Sequence, residues 1–202
     1  MGWFCSEVMA QPSPRLFAAL RAVPDLGRAV YFVRAAPGRR PNFPKAGLVF
    51  VRTVGDVWGD MLPGVPWPEL PAGEDVTLAV PADLPRLRTM GGDDVPLGLP
   101  ERFLKFLKRL SRDTGSAVAY YAAHSWGGPF EWECSWVFGP REAAYGMIYG
   151  EPRVRVYREG EAPAEEDGGV LVRTLGHLGV ESPVFEFAPH DSRFDWEPHR
   201  VG

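Results

Sequence analysis

The chain has 202 residues, of which 45% are hydrophobic, 12% aromatic and 24% charged, and this composition excludes disorder as its main state. Its formal net charge of −4 excludes the strongly basic proteins that bind nucleic acid mainly through charge. No apolar run approaches the ~18 residues of a membrane-spanning helix. Two distant cysteines, Cys5 and Cys134, form no secreted disulfide framework, so we expect a reducing, cytoplasmic location.

The first half of the chain predicts one short helix and a few strands. Ser13 and Pro14 are typical of a helix start, and apolar residues then recur at helical spacing until Pro24. Runs of β-branched and aromatic residues bounded by Gly and Pro predict strands. These strands are expected at 29–34 and at 47–52. Turn-forming residues dominate the long segment at 53–100, in which only 76–80 looks extended.

The second half predicts the clearest helix and a meander of antiparallel strands. The helix begins near Glu101 and carries one apolar stripe, made of Phe103, Leu104, Phe106, Leu107 and Leu110. Strands follow at 116–123, 130–138, 145–149 and 153–157, the first two joined by HSWGGP, whose glycines suit a hairpin. Residues 170–178 favour a helix although a strand stays open, and 184–187 predicts a last strand.

Together these elements predict an α+β protein with five to seven mainly antiparallel strands packed against two or three helices. We expect one domain over residues 1–202, with an irregular segment at 53–100 and an irregular C-terminal tail at 188–202.

The segment 130–138 alternates more regularly than any other. Its aromatic residues and Cys134 occupy every second position, while Glu131, Glu133 and Ser135 occupy the positions between them. This period of two is typical of a strand with one buried face and one face in water. We therefore expect Trp132 and Trp136 to point into the core and the two carboxylates to lie about 6.6 Å apart on the solvent side.

Candidate catalytic residues are few. The chain contains no GxxxxGK[ST], GxGxxG, GxSxG, HExxH or CxxC motif, which argues against nucleotide use, serine hydrolysis and zinc chemistry. His124, beside Ser125 and two glycines, is placed where a general base can act. With Glu131 and Glu133 it forms the candidate catalytic set. The alternative is that His124 lies at an ordinary hairpin tip and the glutamates on a solvated strand face.

The C-terminal tail holds a candidate metal site. Two of the four histidines lie there with two carboxylates, and imidazole and carboxylate groups are ligands for divalent metals. The spacing of four would align three of them on a helix, but Pro189 and Pro198 argue against a helix. We therefore expect no metal and no cofactor; the alternative set of ligands is His190, Asp191, Asp195 and His199.

Tryptophans in turn-rich segments and an acidic run suggest a surface that binds a partner. Tryptophan is enriched in binding hot spots, and an acidic segment suits a basic partner. The residues assigned to this surface are Trp58, Trp67, Trp126, Glu165, Glu166 and Asp167. The basic stretch at 11–52 would suit nucleic acid, but the net charge opposes it.

The sequence therefore favours a non-enzymatic, cytoplasmic, protein-binding protein, similar in character to the immunity or antitoxin proteins of bacterial toxin systems. The alternative is a small hydrolase that depends on a metal or on the His124 and glutamate set. The partner and the oligomeric state stay open.

Overall fold

A computed structural model of the chain describes residues 2–27, 29–34, 43–52, 70–82, 101–126, 130–148, 150–181 and 194–201. Its strands are β1 (Gly2–Ala10), β2 (Val30–Val33), β3 (Leu48–Arg52), β4 (Val118–Trp126), β5 (Phe130–Phe138), β6 (Ala143–Ile148), β7 (Val154–Arg158) and β8 (Ala164–Glu166). Its helices are α1 (Pro14–Arg21), α2 (Pro24–Gly27), α3 (Glu101–Thr114) and α4 (Val170–His177), followed by a short 3-10 helix, Glu197–His199. None of these helices combines the length and the apolar character that crossing a membrane requires.

The described strands form one sheet in the order β2-β3-β1-β4-β5-β6-β7-β8, and every neighbouring pair is antiparallel. Strands β4 to β8 form a meander, as short connections between antiparallel strands predict. Strand β1 lies between β3 and β4, so the connection that carries α3 passes across it. The predicted α+β class with a mainly antiparallel sheet is confirmed, with eight strands where five to seven were expected.

Two strands of the sheet, β1 and β8, were not predicted. Strand β1 has Ser6 and Glu7 in its middle, and both are buried, so its sequence lacks the alternation that marks a half-exposed strand. Strand β8 lies inside the acidic run, where no strand is expected because acidic residues are poor strand formers. Residues 76–80 form no strand, and the strand predicted at 184–187 lies outside the described residues.

The sheet is covered on both faces. Helices α1 and α3 bury one face, where Leu16 and Leu104 join a core with Trp136 and Phe138. The apolar stripe predicted for α3 is fully buried. Helix α4 covers the opposite face, where Val170 and Leu175 join a second cluster with β4, β5 and β6. The predicted helix at 170–178 is thus confirmed.

Strand β5 corrects the prediction that both of its carboxylates face water. Cys134, Trp136 and Phe138 are buried as expected, while Trp132 is only partly buried. On the other side, however, Glu133 is 4% exposed and Ser135 is 0% exposed. Helix α4 packs on that side of β5, so both faces of the strand are interior.

A buried carboxylate fastens the segment 70–82 to the sheet. One carboxylate oxygen of Glu142 accepts a hydrogen bond from the backbone N–H of Val80 at 2.7 Å, and the other pairs with Lys108 Nζ of α3 at 2.6 Å. The indole N–H of Trp136 donates to the carbonyl oxygen of Pro81 at 3.2 Å. These polar contacts hold an irregular segment against a buried strand.

The C-terminal residues return to the first edge of the sheet. Arg200 forms an isolated antiparallel bridge with Tyr31, and the N–H of Val201 donates to the carbonyl of Val30 at 2.9 Å. The ring of Trp196 packs edge-on against Tyr31 and Phe50, with centroid distances of 5.2 and 5.3 Å. Trp196 is therefore occupied by contacts within the chain.

Candidate functional site

Two of the three predicted catalytic residues meet at the hairpin of β4 and β5. The Nδ1 atom of His124 lies 2.8 Å from a carboxylate oxygen of Glu131. A register shift between His124 and Ser125 sets Glu131 out of the regular pairing, which lets its side chain reach the histidine. The side chains are 33% and 44% exposed, so the pair is open to solvent.

Glu133 serves a different purpose on the opposite face of the sheet. Its carboxylate accepts a hydrogen bond from the backbone N–H of Leu171 at 3.4 Å. Leu171 lies in the first turn of α4, whose N-cap residue, Gly169, has no side chain with which to cap it. Glu133 thus supplies from the sheet the acceptor that a helix start needs. The structure does not bring it together with the His124 and Glu131 pair.

A second buried carboxylate lies on the same face as Glu133. Glu7 of β1 is 2% exposed and stands directly opposite Tyr121 in the register. Burial, and then the nearby charges of Glu133 and Glu7 together with Cys5, hold the pKa of Tyr121 well above its usual value. Tyr121 therefore stays neutral among acidic groups.

An open cleft of about 550 Å³ lies where α4 meets β6 and β7. We call it the arginine cleft and define it by Arg141, Tyr145, Arg158, Arg173 and His177. Glu142 and Glu161 also line it. Its arginines come from the turn before β6, the end of β7 and the middle of α4. None of these residues was a candidate in the sequence.

A tyrosine and a histidine meet inside this cleft. The hydroxyl of Tyr145 lies 2.6 Å from Nε2 of His177. Burial raises the pKa of Tyr145, whereas burial first and Arg158 second lower the pKa of His177. Both groups are therefore neutral near pH 7, and a hydrogen bond joins the hydroxyl to Nε2.

Glu166 joins two of the arginines. One of its carboxylate oxygens lies 2.7 Å from Arg158, and the other lies 2.6 Å from Arg173. The hydrogen bond from Arg158 is the largest cause that lowers the pKa of Glu166, so the carboxylate is charged. Glu166 therefore holds strand β8 against α4.

The structure describes only some of the other residues that were predicted to bind a partner. Glu165 is exposed on β8, and the side chain of Asp167 is 89% exposed although it lies 3.4 Å from Arg153. Trp58 and Trp67 lie outside the described residues. Trp126 is the last residue of β4, but its side chain is outside the described part of the structure.

The predicted tail ligands are not gathered where the structure describes them. A carboxylate oxygen of Asp195 accepts a hydrogen bond from the N–H of Glu197 at 3.2 Å. The ring of His199 stacks on Phe194 at 5.2 Å. His190 and Asp191 lie outside the described residues, and within the described ranges no three potential ligands cluster as a metal requires.

One sequence signal could have pointed to the arginine cleft. Arg173 and His177 are four residues apart in a predicted helix, and such residues lie on one face. Tyr145 and Arg158 gave no signal, because only the pairing of β6 with β7 brings them there.

The chain has no match among protein-family models, curated proteins or solved structures. Its function has to be inferred from the chemistry of its own surfaces and clefts.

Proposed function

We propose that this protein is a non-enzymatic partner-binding protein, of the kind that the immunity and antitoxin proteins of bacterial toxin systems represent. The observation that carries the proposal is the acidic outer edge of the sheet. This acidic edge consists of Glu165, Glu166 and Asp167. Strand β8 pairs with β7 on one side, and no strand in the described part of the chain pairs with its other side.

The acidic edge has a fixed shape. Glu166 is bound by two arginines, and Arg173 also donates to the carbonyl oxygen of Asp167. Glu165 and Asp167 therefore project to solvent from an ordered backbone, so less conformational entropy is lost on binding.

An exposed apolar side chain follows the acidic edge in the sequence. Val172 of α4 is 38% exposed, and among the described residues it is the large apolar side chain that lies open to solvent. It follows Asp167 by five residues in the chain. Acidic groups beside a small apolar contact suit a partner with a basic surface, which charge attraction would steer into place.

The proposal is tested by co-purification from cells that express the neighbouring genes. We expect a stoichiometric basic protein to bind the wild type and the control Glu74→Lys/Asp113→Lys, in which exposed acids away from the edge are reversed. The variant Glu165→Lys/Asp167→Lys should lose that partner, because rim charges reversed against a basic surface repel it. Absence of a stoichiometric partner, or equal binding by both double variants, would contradict the proposal.

A His/Glu-dependent hydrolase is the second candidate, favoured by the 2.8 Å contact between His124 and Glu131. A carboxylate on Nδ1 fixes the tautomer in which Nε2 accepts a proton, as a general base requires. We would expect His124→Gln and Glu131→Gln each to abolish hydrolysis of an activated ester, with Glu197→Gln as a control that keeps it. Turnover by wild type no faster than by buffer would exclude this candidate.

A further inference from the structure

The arginine cleft has the chemistry of an oxyanion site. The guanidinium groups of Arg141, Arg158 and Arg173 line it from three different elements of the fold. A guanidinium carries five N–H donors in a planar fork that matches the oxygens of a phosphate group. Three such groups around one cleft are an arrangement typical of phosphate recognition.

The charges in the cleft do not balance. Its three arginines face the carboxylates of Glu161 and Glu166, while Glu142 is occupied by Lys108 at 2.6 Å. Among the described side chains that pair in this way, three positive and two negative charges leave one positive charge over, in a protein whose net charge is −4. An anion is the ligand that would compensate it.

Glu161 competes only weakly for these arginines. Its carboxylate oxygens lie 4.0 Å from Arg141 and 3.5 Å from Arg158, and its side chain is 46% exposed. Ion pairs of that length at an exposed site contribute little interaction free energy. Arg141, which is 81% exposed, and one edge of Arg158 therefore remain open to a ligand.

Hydrogen-bond donors and space are also present. The Nε–H of Arg173 is buried and has no hydrogen-bond partner among the described residues, so Glu166 and the Asp167 carbonyl leave one donor of this guanidinium unsatisfied. The volume of about 550 Å³ exceeds that of a phosphate ion and lies in the range of small-molecule sites.

We propose that the arginine cleft binds the phosphate group of a small phosphorylated molecule. Arg141 and the open edge of Arg158 donate to the phosphate oxygens, and Arg173, which is bound to Glu166 and to the Asp167 carbonyl, adds positive charge at the base of the cleft. The neutral pair of Tyr145 and His177 forms a polar wall beside the phosphate. This site adjoins the proposed partner surface, because Arg158 and Arg173 also bind Glu166 of the acidic edge, whereas Glu165 and Asp167 face solvent.

The test is an NMR titration of the ¹⁵N-labelled full chain at constant ionic strength. The probes are inorganic phosphate and phenyl phosphate, with benzoate as the carboxylate comparison. We expect saturable shifts at the amides of Arg158, Arg173 and His177, with a Kd of about 1 mM or tighter for phenyl phosphate. Phenyl phosphate should bind more tightly than benzoate.

Some variants should weaken the binding of phenyl phosphate and another should tighten it, which makes the test specific. Arg141→Gln should weaken phenyl phosphate binding about two- to fivefold, as expected for an exposed charge, and Arg158→Gln about tenfold or more. Glu161→Gln should tighten binding about two- to fivefold, because it removes a competing carboxylate. Arg153→Gln, outside the cleft, is the matched control and should leave the Kd unchanged.

Three results would overturn the proposal. The first is no saturation below about 10 mM phenyl phosphate. The second is equal or tighter binding of benzoate, which would assign the cleft to carboxylates. The third is an unchanged Kd in Arg141→Gln and Glu161→Gln, whose exposed positions leave the fold intact.

Discussion

Replacing Trp136 by alanine tests how the two faces of β5 are buried. The Trp136 side chain is fully buried and packs against Tyr120 at a ring distance of 6.3 Å. Removing a buried tryptophan costs about 3 to 5 kcal/mol through lost contacts and the cavity that remains. The lost hydrogen bond to the Pro81 carbonyl adds about 1 kcal/mol. We therefore expect Trp136→Ala to lower the free energy of unfolding by about 4 to 6 kcal/mol.

Trp132 is the internal comparison. Strand alternation alone predicts that both tryptophans are buried in the core and that their replacement by alanine lowers the free energy of unfolding equally. In the structure Trp132 is only partly buried, so Trp132→Ala should cost about 1 to 3 kcal/mol. Because Glu131 is half-exposed, Glu131→Ala should change the free energy of unfolding by no more than about 0.5 kcal/mol.

Urea unfolding followed by far-UV circular dichroism measures these differences. Tryptophan fluorescence is unsuitable, because the chain has seven tryptophans and the substitutions would change the signal itself. A cost for Trp132→Ala equal to or larger than that for Trp136→Ala would refute the packing assigned to β5.

Three further predictions concern buried and titrating groups. Glu142→Ala should lower the free energy of unfolding by about 1 to 3 kcal/mol, since the buried N–H of Val80 loses its acceptor while Lys108 keeps the carbonyl oxygen of Thr77; Glu142→Gln should cost less in the same urea assay, because its amide oxygen can still accept from Val80. Partial burial and a neighbouring arginine lower the pKa of His177, so the unfolded chain binds the proton more readily. This contribution to stability should be complete above about pH 6.5 and lost as the pH falls below it, and a scan of Tm against pH should show a smaller loss for His177→Gln. Burial raises the pKa of the Cys134 thiol, so a thiol reagent should modify Cys134 only after urea unfolding; modification of the native protein at the rate of a free thiol would contradict the burial.

The sequence predicted the elements whose patterns are local. The stripe on α3 and the alternation of β5 are recorded in consecutive residues, and both elements lie where they were predicted. Strand β1 escaped prediction because Glu7 and Ser6 are polar yet buried, which the local sequence does not indicate. Strand β8 escaped because Glu166 is held by arginines from two other elements.

The candidate catalytic residues also divide into those that the local sequence brings together and those that the tertiary structure places. His124 and Glu131 were predicted as possible partners, since a hairpin brings nearby residues together. Glu133 was grouped with them by spacing alone, and α4 assigns it instead to a helix start.

By itself the sequence determined the fold class, the meander and the apolar side of β5, because burial of apolar surface selects the periodicity of each element. Only the tertiary structure decided that the second side of the sheet is also interior and that Tyr145 and His177 meet between three arginines. Both depend on where α4 packs. A helix eight residues long can cover many parts of a sheet, and the contacts that choose among them join residues far apart in the chain.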